Sequence, residues 1–471
     1  MNGVFSQEVR NHMYRCYAIV PPDNTKITIK SERADGGQRP IWWVFTGMGC
    51  QWNTMGAHLM HIPVFRDVMD RCDKVLAPLG VDIKRVVTTT DKDIFDNIIH
   101  SFVGIVGCQM GLVEILRALK LEPDGMLGHS AGEVGCAYAD NCLTLEQTIL
   151  AAYARGKASL EATLIKGMMA AVGMGYSEIV NQLPESIEVA CRNSSSSCTI
   201  SGPAADVEKF VGELTSRGVF ARTVSVADIA YHSRYIKPAT PILLKHLRRV
   251  ITEKKTRSSK WISSSIPEKD WNSDLAKYGS AEYLVNNMLS PVLFEDAIKL
   301  IPSNAVLIEI GPHSLLQAIL KRAMPKEVTN LPLTHKSSPD GVKFLMEAIG
   351  QLYLLGFEPD VQALYPPVQF PVPLDTPSLQ PFVTWDHSEE YYLPPYMRDV
   401  IENTLSVSEK SFTTKEIRDV LKIYKYEASP VCLLSFLLIE VWKTFGVLEN
   451  KNSNSFPLYL KIFRYIQNLI S

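Results

Sequence analysis

The sequence lacks a strong excess of either charge and has no long apolar run. Its 471 residues carry a formal net charge of −2 without a basic cluster, which argues against nucleic acid as a main partner. The apolar segment 431–439 is too short to cross a bilayer and is followed by Glu440, so no membrane span is expected. Residues 1–10 contain two charges and no apolar centre, so no secretory signal is expected.

Cysteine is scarce and irregularly spaced. The chain has nine cysteines, an odd number, and none of them forms a C-x-x-C pair. This pattern is typical of free thiols in a reducing compartment, which favours the cytoplasm. No metal ion is expected, and no nucleotide-phosphate loop is present.

The composition is otherwise that of a globular protein with room for two to four domains, since 46% of the residues are hydrophobic and 21% are charged. Residues 41–45, IWWVF, form a continuous apolar run of the kind that is buried on both faces of a parallel sheet. The glycine-containing turn at 46–52 follows directly. In α/β folds, ligands bind at this carboxyl end of a strand, although the turn also fits an ordinary strand-to-helix connection.

The stretch around which the chain is organised is GHSAG at 128–132, with Ser130 at its centre. A short apolar run precedes it and a helical pattern follows, which is the context of a nucleophile elbow. Side chains at Gly128 and Gly132 would collide with the neighbouring strand and helix. The first free amides of the helix, beginning at Ala131, would face an oxyanion formed at Ser130. A serine in an ordinary turn between two glycines is the alternative.

Two further candidates come later in the chain. The capping box T-x-x-Q at 144–147 predicts a helix through Ala158, and Arg155 lies on it among alanines that suit a buried or pocket-lining face. A lone arginine is more often a solvated surface charge. His232, within AYHS at 230–233, is a candidate base or a structural histidine.

Residues 168–228 alternate between strand and helix patterns in the order βαββαβ. This is the ferredoxin-like arrangement, and we expect it as a small subdomain inserted into a larger sheet domain.

Seven ordered motifs resemble the malonyl/acetyltransferase region of animal fatty acid synthase and, less closely, polyketide synthase acyltransferases. The resemblance runs from about residue 14 to about residue 395. It rests on FTGMG at 45–49, SFV at 101–103, GHSAGE at 128–133, YARG at 153–156, AYHS at 230–233, NNMLSPV at 286–292 and WDHS at 385–388.

The resemblance implies a role for each candidate. Ser130 would attack an acyl thioester, and His232 would be its general base, oriented by a backbone carbonyl near residues 290–293. The backbone amides of Met48 and Ala131 would form the oxyanion hole. Arg155 would bind the free carboxylate of a malonyl group through two hydrogen bonds.

The resemblance also assigns a substrate pocket and partners. Gln109, Phe102 and Tyr231 would contribute to the pocket. Tyr231 stands where the animal synthases carry phenylalanine, which leaves the acyl preference open. Coenzyme A thioesters would be the substrates, with no bound cofactor. The acceptor would be the phosphopantetheine of an acyl carrier protein supplied in trans, and other synthase modules would be further partners.

The implied fold is a hydrolase-like α/β acyltransferase domain with a parallel sheet and the inserted subdomain. The expected divisions are the end of a ketosynthase–acyltransferase linker at 1–40, the acyltransferase at 41–335 with its insert at 168–228, a linker at 336–397, and a truncated dehydratase-like segment at 398–471. In that last segment the resemblance implies that the catalytic His of the dehydratase and its Gly and Pro would fall near Tyr424, Ala428 and Leu433, so none of the three is present.

The function expected is transfer of malonyl or acetyl groups from coenzyme A to an acyl carrier protein in fatty acid biosynthesis. Two alternatives stay open at this point. One is an idle remnant that serves as an interaction module. The other is a thioesterase or esterase with the same Ser-His pair.

Overall fold

The computed structural model describes residues 14–21, 27–33, 39–224 and 226–365. The chain divides into two units, residues 1–371 and 372–471, and all of the described residues belong to the first. The WDHS motif and the dehydratase-like segment lie outside the described residues.

The described strands are β1 (Tyr14–Ile19), β2 (Thr28–Arg33), β3 (Ile41–Phe45), β4 (Gly125–Gly128), β5 (Gly167–Val172), β6 (Glu188–Ser194), β7 (Ser197–Pro203), β8 (Ala221–Val224), β9 (Lys255–Thr256), β10 (Trp261–Ile262), β11 (Tyr278–Gly279), β12 (Val306–Ile310) and β13 (Thr329–Pro332). The described α-helices are α1 (Pro63–Leu76), α2 (Ile83–Thr88), α3 (Ile98–Ala118), α4 (Gly132–Ala139), α5 (Leu145–Glu161), α6 (Tyr176–Ile179), α7 (Ala204–Ser216), α8 (Thr240–Val250), α9 (Asp274–Lys277), α10 (Ala281–Leu289), α11 (Phe294–Ile298), α12 (Gln317–Ala323) and α13 (Gly341–Leu354).

A five-stranded parallel sheet forms the centre of the molecule, in the order β10-β4-β3-β12-β13. All five residues of β3 and all five of β12 are buried, as the continuous apolar run at 41–45 predicts. The loops after β3, β4 and β12 therefore emerge at one edge of the sheet. The FTGMG and GHSAG motifs lie at the first two of these loops.

Helix α3 is the apolar core helix beside this sheet. Asn97 caps its first turn by accepting a hydrogen bond from the Ile99 amide. Among the described helices, only α3 has the length and apolarity of a membrane span, and 89% of its most apolar window is buried inside the protein. Burial by protein on nearly every side is typical of a core helix, so α3 is weak evidence for a span.

The insert forms a separate four-stranded antiparallel sheet in the order β6-β7-β5-β8. With α6 and α7 connecting the strands, this is the ferredoxin-like βαββαβ arrangement that the sequence predicts. Its own core consists of residues such as Val172, Ile200 and Leu214. The fold class is confirmed. The first helix of the insert, α6, is only four residues long and continues as a 3₁₀ turn at Val180–Gln182.

An N-terminal hairpin of β1 and β2 packs against α13. The Arg15 guanidinium donates to the carbonyl oxygens of Tyr353 at 3.1 Å and Phe357 at 2.9 Å, and the Tyr17 ring lies against Gly350. The predicted linker at 336–397 thus includes, in its described part, a helix that packs on the fold.

Candidate active site

Ser130 lies in a left-handed turn between β4 and α4, with a φ of 55°. This conformation costs energy for a residue with a side chain, and the surrounding backbone must enforce it. A methyl group on Gly128 would overlap the backbone of Glu133, and one on Gly132 would overlap the backbone of Phe45. Both glycines are therefore required for steric reasons, as the elbow interpretation predicts.

The Ser130 hydroxyl oxygen lies 2.6 Å from Nε2 of His232. Nδ1 of His232 lies 2.8 Å from the carbonyl oxygen of Ser290. Since a carbonyl can only accept, Nδ1 carries the hydrogen, and Nε2 presents its lone pair to the serine hydroxyl. The order serine, histidine, backbone carbonyl is the one that the resemblance implies.

His232 is 1% exposed, and its environment favours the neutral imidazole. Burial, with a smaller contribution from the nearby Arg155 charge, lowers the pKa of His232 from 6.5 to about 3. The ring is therefore uncharged, and able to accept a proton, throughout the physiological pH range.

The loop after β3 lies directly against the elbow. A methyl group on Gly47 would come within 2.6 Å of the His129 carbonyl oxygen and 3.2 Å of the Ser130 Cβ. Within the described part of the chain, the amides of Met48 and Ala131 have no hydrogen-bond partner. Both amides are thus available to an oxygen bound beside Ser130.

Gln109 holds this loop from behind. Its side-chain nitrogen donates to the Thr46 carbonyl oxygen at 2.7 Å, and the residue is fully buried on α3. The structure therefore gives Gln109 a contact with the loop that carries Met48, where the resemblance suggests a pocket residue.

Arg155 is buried, with 3% of its surface exposed, so the solvated surface charge that was the alternative is wrong. Its Nη1 donates to Oδ1 of Asn287 at 2.6 Å. Its Nε is buried and has no partner, and no carboxylate of the described residues forms an ion pair with it. Burial lowers the pKa of Arg155 to about 10, which still leaves it charged at neutral pH.

Phe102 and Tyr231 pack beside this arginine. The Phe102 ring centroid lies 5.4 Å from the guanidinium carbon and 5.9 Å from the Tyr231 ring, in an edge-to-face arrangement. The Tyr231 hydroxyl lies 3.0 Å from Oγ of Ser159, which donates its own hydrogen to the Arg155 carbonyl at 2.9 Å. The tyrosine therefore donates to Ser159, and its hydroxyl is already satisfied within the protein.

The inserted subdomain is tied to the site through its edge strand β6. The side-chain oxygen of Asn193 accepts a hydrogen bond from Nε2 of His129 at 2.8 Å. Val292, in the loop that carries the Ser290 carbonyl, forms two backbone hydrogen bonds of 2.8 Å with Ala190 and Arg192. The insert thereby fixes the loop that orients His232.

Two buried polar residues were not assigned a role from the sequence. Asn287 is fully buried and donates to the Ser130 carbonyl oxygen at 3.1 Å. Glu133 is also fully buried and accepts hydrogen bonds from the side chains of Ser264, Ser265 and Tyr283. Both lie within quoted motifs, but nothing in the pattern indicates which of the motif residues contact each other.

Comparison with known proteins identifies the domain. The sequence profile described as "Acyl transferase domain" matches residues 42–359. The chain belongs to this family. The matched segment continues past position 335, the predicted end of the acyltransferase domain.

The chain is also similar to fungal polyketide synthases. It is 31% identical over 395 residues to the highly reducing polyketide synthase poxF of Penicillium oxalicum, covering 78% of this chain and 15% of that synthase. It is 31% identical over 426 residues to the low-reducing polyketide synthase drtA of Aspergillus calidoustus, covering 82% of this chain and 17% of that synthase. The chain thus spans about a sixth of the length of these relatives.

Solved acyltransferase domains share the fold. The acyltransferase domain from the second module of the salinomycin polyketide synthase is 23% identical, with a TM-score of 0.62, and the match covers 74% of this chain and 85% of that one. A loading acyltransferase of the avermectin synthase is 23% identical, with a TM-score of 0.59, and the match covers 66% of this chain and 99% of that one.

Proposed function

We propose that this acyl transferase domain moves an acyl group from coenzyme A to the phosphopantetheine thiol of an acyl carrier protein, through an ester on Ser130. The observation that carries the proposal is the 2.6 Å contact between the Ser130 hydroxyl and an uncharged His232 whose Nδ1 is held by the Ser290 carbonyl. A nucleophile activated in this way fits acyl transfer without a metal ion.

In the first half of the reaction the Ser130 oxygen attacks the thioester carbonyl carbon, and its proton passes to Nε2 of His232. The carbonyl oxygen becomes an oxyanion, for which the partnerless amides of Met48 and Ala131 are the proposed donors. As the carbon–sulfur bond breaks, His232 returns the proton to the leaving thiolate. The acyl group remains as an ester on Ser130.

In the second half the phosphopantetheine thiol attacks this ester and gives its proton to His232. The proton then returns to the Ser130 oxygen as the ester bond breaks. Each half uses the same base and the same oxyanion site, so one geometry serves donor and acceptor thiols.

Arg155 supports a malonyl-type acyl group. A buried guanidinium without an acidic partner is costly, and a substrate carboxylate would supply the missing charge. The planar fork of arginine matches the two oxygens of a carboxylate. Phe102 and Tyr231 would bound the space around this acyl end.

Two biosynthetic settings fit this chemistry. The motifs resemble animal fatty acid synthase, whereas the curated relatives at 31% identity are polyketide synthases. We therefore propose a synthase-type acyltransferase that serves a carrier protein in trans, and favour polyketide-type over fatty-acid-type biosynthesis. A cytoplasmic location is part of the same proposal.

The test is intact-mass spectrometry of the full chain after mixing with malonyl-CoA. We expect one malonyl adduct on the wild type, its transfer to a phosphopantetheinylated carrier protein, and no adduct on Ser130→Ala. Rapid loss of the adduct to water without an acceptor would indicate a thioesterase. A folded wild type that never forms an adduct would indicate an idle remnant and would contradict the proposal.

A further inference from the structure

Asn287 connects the nucleophile turn to the buried arginine. It lies on α10, fully buried, with its side-chain carbonyl facing Arg155 at 2.6 Å and its side-chain amide facing the Ser130 carbonyl oxygen at 3.1 Å. A single side chain thus contacts both the residue proposed to be acylated and the residue proposed to bind the substrate carboxylate. This inference rests on the proposed function.

We propose that Asn287 is a positioning residue that presents Arg155, with its charge uncompensated, to the carboxylate of the acyl group. The side chain needs an acceptor for Arg155 and a donor for Ser130, and asparagine supplies both without charge. Aspartate has the same shape but would form an ion pair with Arg155. The arginine would then be neutralised within the protein.

Glu133 explains how the asparagine is oriented. One carboxylate oxygen lies 3.5 Å from the Asn287 amide nitrogen, and that carboxylate is fixed by Tyr283, Ser264 and Ser265. A buried negative charge attracts the amide hydrogens and repels the amide oxygen. It therefore directs the amide oxygen toward the arginine.

Asn287 also separates two opposite charges. Arg155 and Glu133 are both buried, and Asn287 contacts each of them. Direct contact between Arg155 and Glu133 would form an internal ion pair, and Glu133 would then compete with a substrate carboxylate for the guanidinium. A neutral residue between them holds both side chains in place and leaves the guanidinium free to bind substrate.

The test compares malonyl-CoA and acetyl-CoA loading, with KM and kcat for each, in the full chain and in Asn287→Asp. We expect the malonyl-to-acetyl ratio of kcat/KM to fall on the order of tenfold or more, mainly through a higher KM for malonyl-CoA. A disturbance of Ser130 alone would lower both rates and leave the ratio unchanged. The ratio is therefore the readout that a merely structural role would not move.

The matched control is Asn141→Asp. Asn141 is an exposed asparagine in the turn between α4 and α5 that accepts from the Arg117 guanidinium at 3.1 Å, and among the described residues it forms no hydrogen bond with a residue of the proposed site. The same change in charge beside an arginine should leave the ratio at the wild-type value. If Asn287→Asp does not fold, as judged by circular dichroism, Asn287→Ala takes its place, with the ratio again expected to fall.

Arg155→Ala separates the two proposals. Equal losses for both thioesters in Arg155→Ala would overturn the carboxylate-binding function itself. Two results together would overturn the positioning role alone. They are a selective loss of malonyl loading in Arg155→Ala and a malonyl-to-acetyl ratio of kcat/KM within about twofold of wild type in the folded Asn287 variant. A lost hydrogen bond to a charged group should change the ratio by more than about twofold.

Discussion

Replacing Arg155 by alanine tests the substrate assignment directly. Malonyl-CoA and acetyl-CoA differ at the acyl end by one carboxylate, so only malonyl-CoA can gain from a cation in the pocket. Because Arg155 has no acidic partner among the described residues, its removal breaks no internal ion pair. The fold should therefore survive, and the change should be confined to substrate handling.

The magnitude follows from the contacts that the carboxylate would gain. Hydrogen bonds between charged groups contribute roughly 1.5–3 kcal/mol each, and desolvation of the carboxylate offsets part of two such bonds. A net loss of about 2–4 kcal/mol corresponds to a fall in malonyl loading of roughly 30- to 1000-fold. Acetyl loading should be nearly unchanged, or rise, because a buried unpaired charge is removed.

The assay is adduct formation on Ser130 with each thioester, for the wild type, Arg155→Ala and Arg155→Lys. Lysine should restore only part of malonyl loading, because an ammonium cannot contact both carboxylate oxygens in the arginine geometry. Equal losses with both thioesters would show that Arg155 supports the structure and does not bind the substrate carboxylate.

Three further outcomes follow from the site and the elbow. Because the pKa of His232 is lowered to about 3, the loading rate should stay level between pH 7.5 and 5.5, and a half-maximal rate near pH 6.5 would contradict this. The same shift means that unfolding takes up a proton between pH 6.5 and pH 3, so the free energy of unfolding should fall as the pH is lowered through that window. Tyr231→Phe removes one buried hydrogen bond to Ser159 and should lower the free energy of unfolding, measured by urea titration, by about 1 kcal/mol. Malonyl loading should change by less than tenfold, and a larger loss would show that the hydroxyl acts directly on the substrate. Gly132→Ala should lower the free energy of unfolding by about 1–3 kcal/mol or more, because its methyl group would overlap the backbone of β3. The control Gly212→Ala, in open space on α7, should leave the stability unchanged or raise it, and equal urea midpoints for the two variants would refute the steric account.

Local rules predict the elbow and the helix starts well. The need for glycine on both sides of Ser130 depends on residues within a few positions along the chain and on one adjacent strand. The capping box at Thr144 and Gln147 is likewise local, and both of its hydrogen bonds are present. Such features can be read from the sequence because the interacting groups are neighbours in it.

The environment of Arg155 could not be predicted in the same way. Its burial depends on Asn287, 132 positions away, and on the Phe102 ring, 53 positions before it. Helical periodicity places the arginine beside alanines, but a face of alanines fits either a pocket or a helix contact. Only the packing of α3, α5 and α10 decides between them.

The extent of the fold past residue 335 was difficult to predict from the sequence for a related reason. Helix α13 lies within 336–397, the segment that was predicted to be a linker. The sequence does not indicate that the hairpin of β1 and β2, more than 300 positions earlier, packs against this helix. The division of the chain at 335 and 397 stays a prediction.

The proposed chemistry places two opposing demands on one small site. Arg155 must keep an uncompensated positive charge for the substrate, yet a positive charge near His232 disfavours protonation of the base. An internal carboxylate that neutralised Arg155 would raise the pKa of His232, but it would weaken binding of the substrate carboxylate. Asn287 resolves the conflict by holding the guanidinium with a neutral oxygen while Glu133 remains buried on the other side of the asparagine. A malonyl carboxylate bound to Arg155 would offset this charge, which beside burial is the smaller contribution to the lowered His232 pKa, and the base would become stronger in the complex with the proposed substrate.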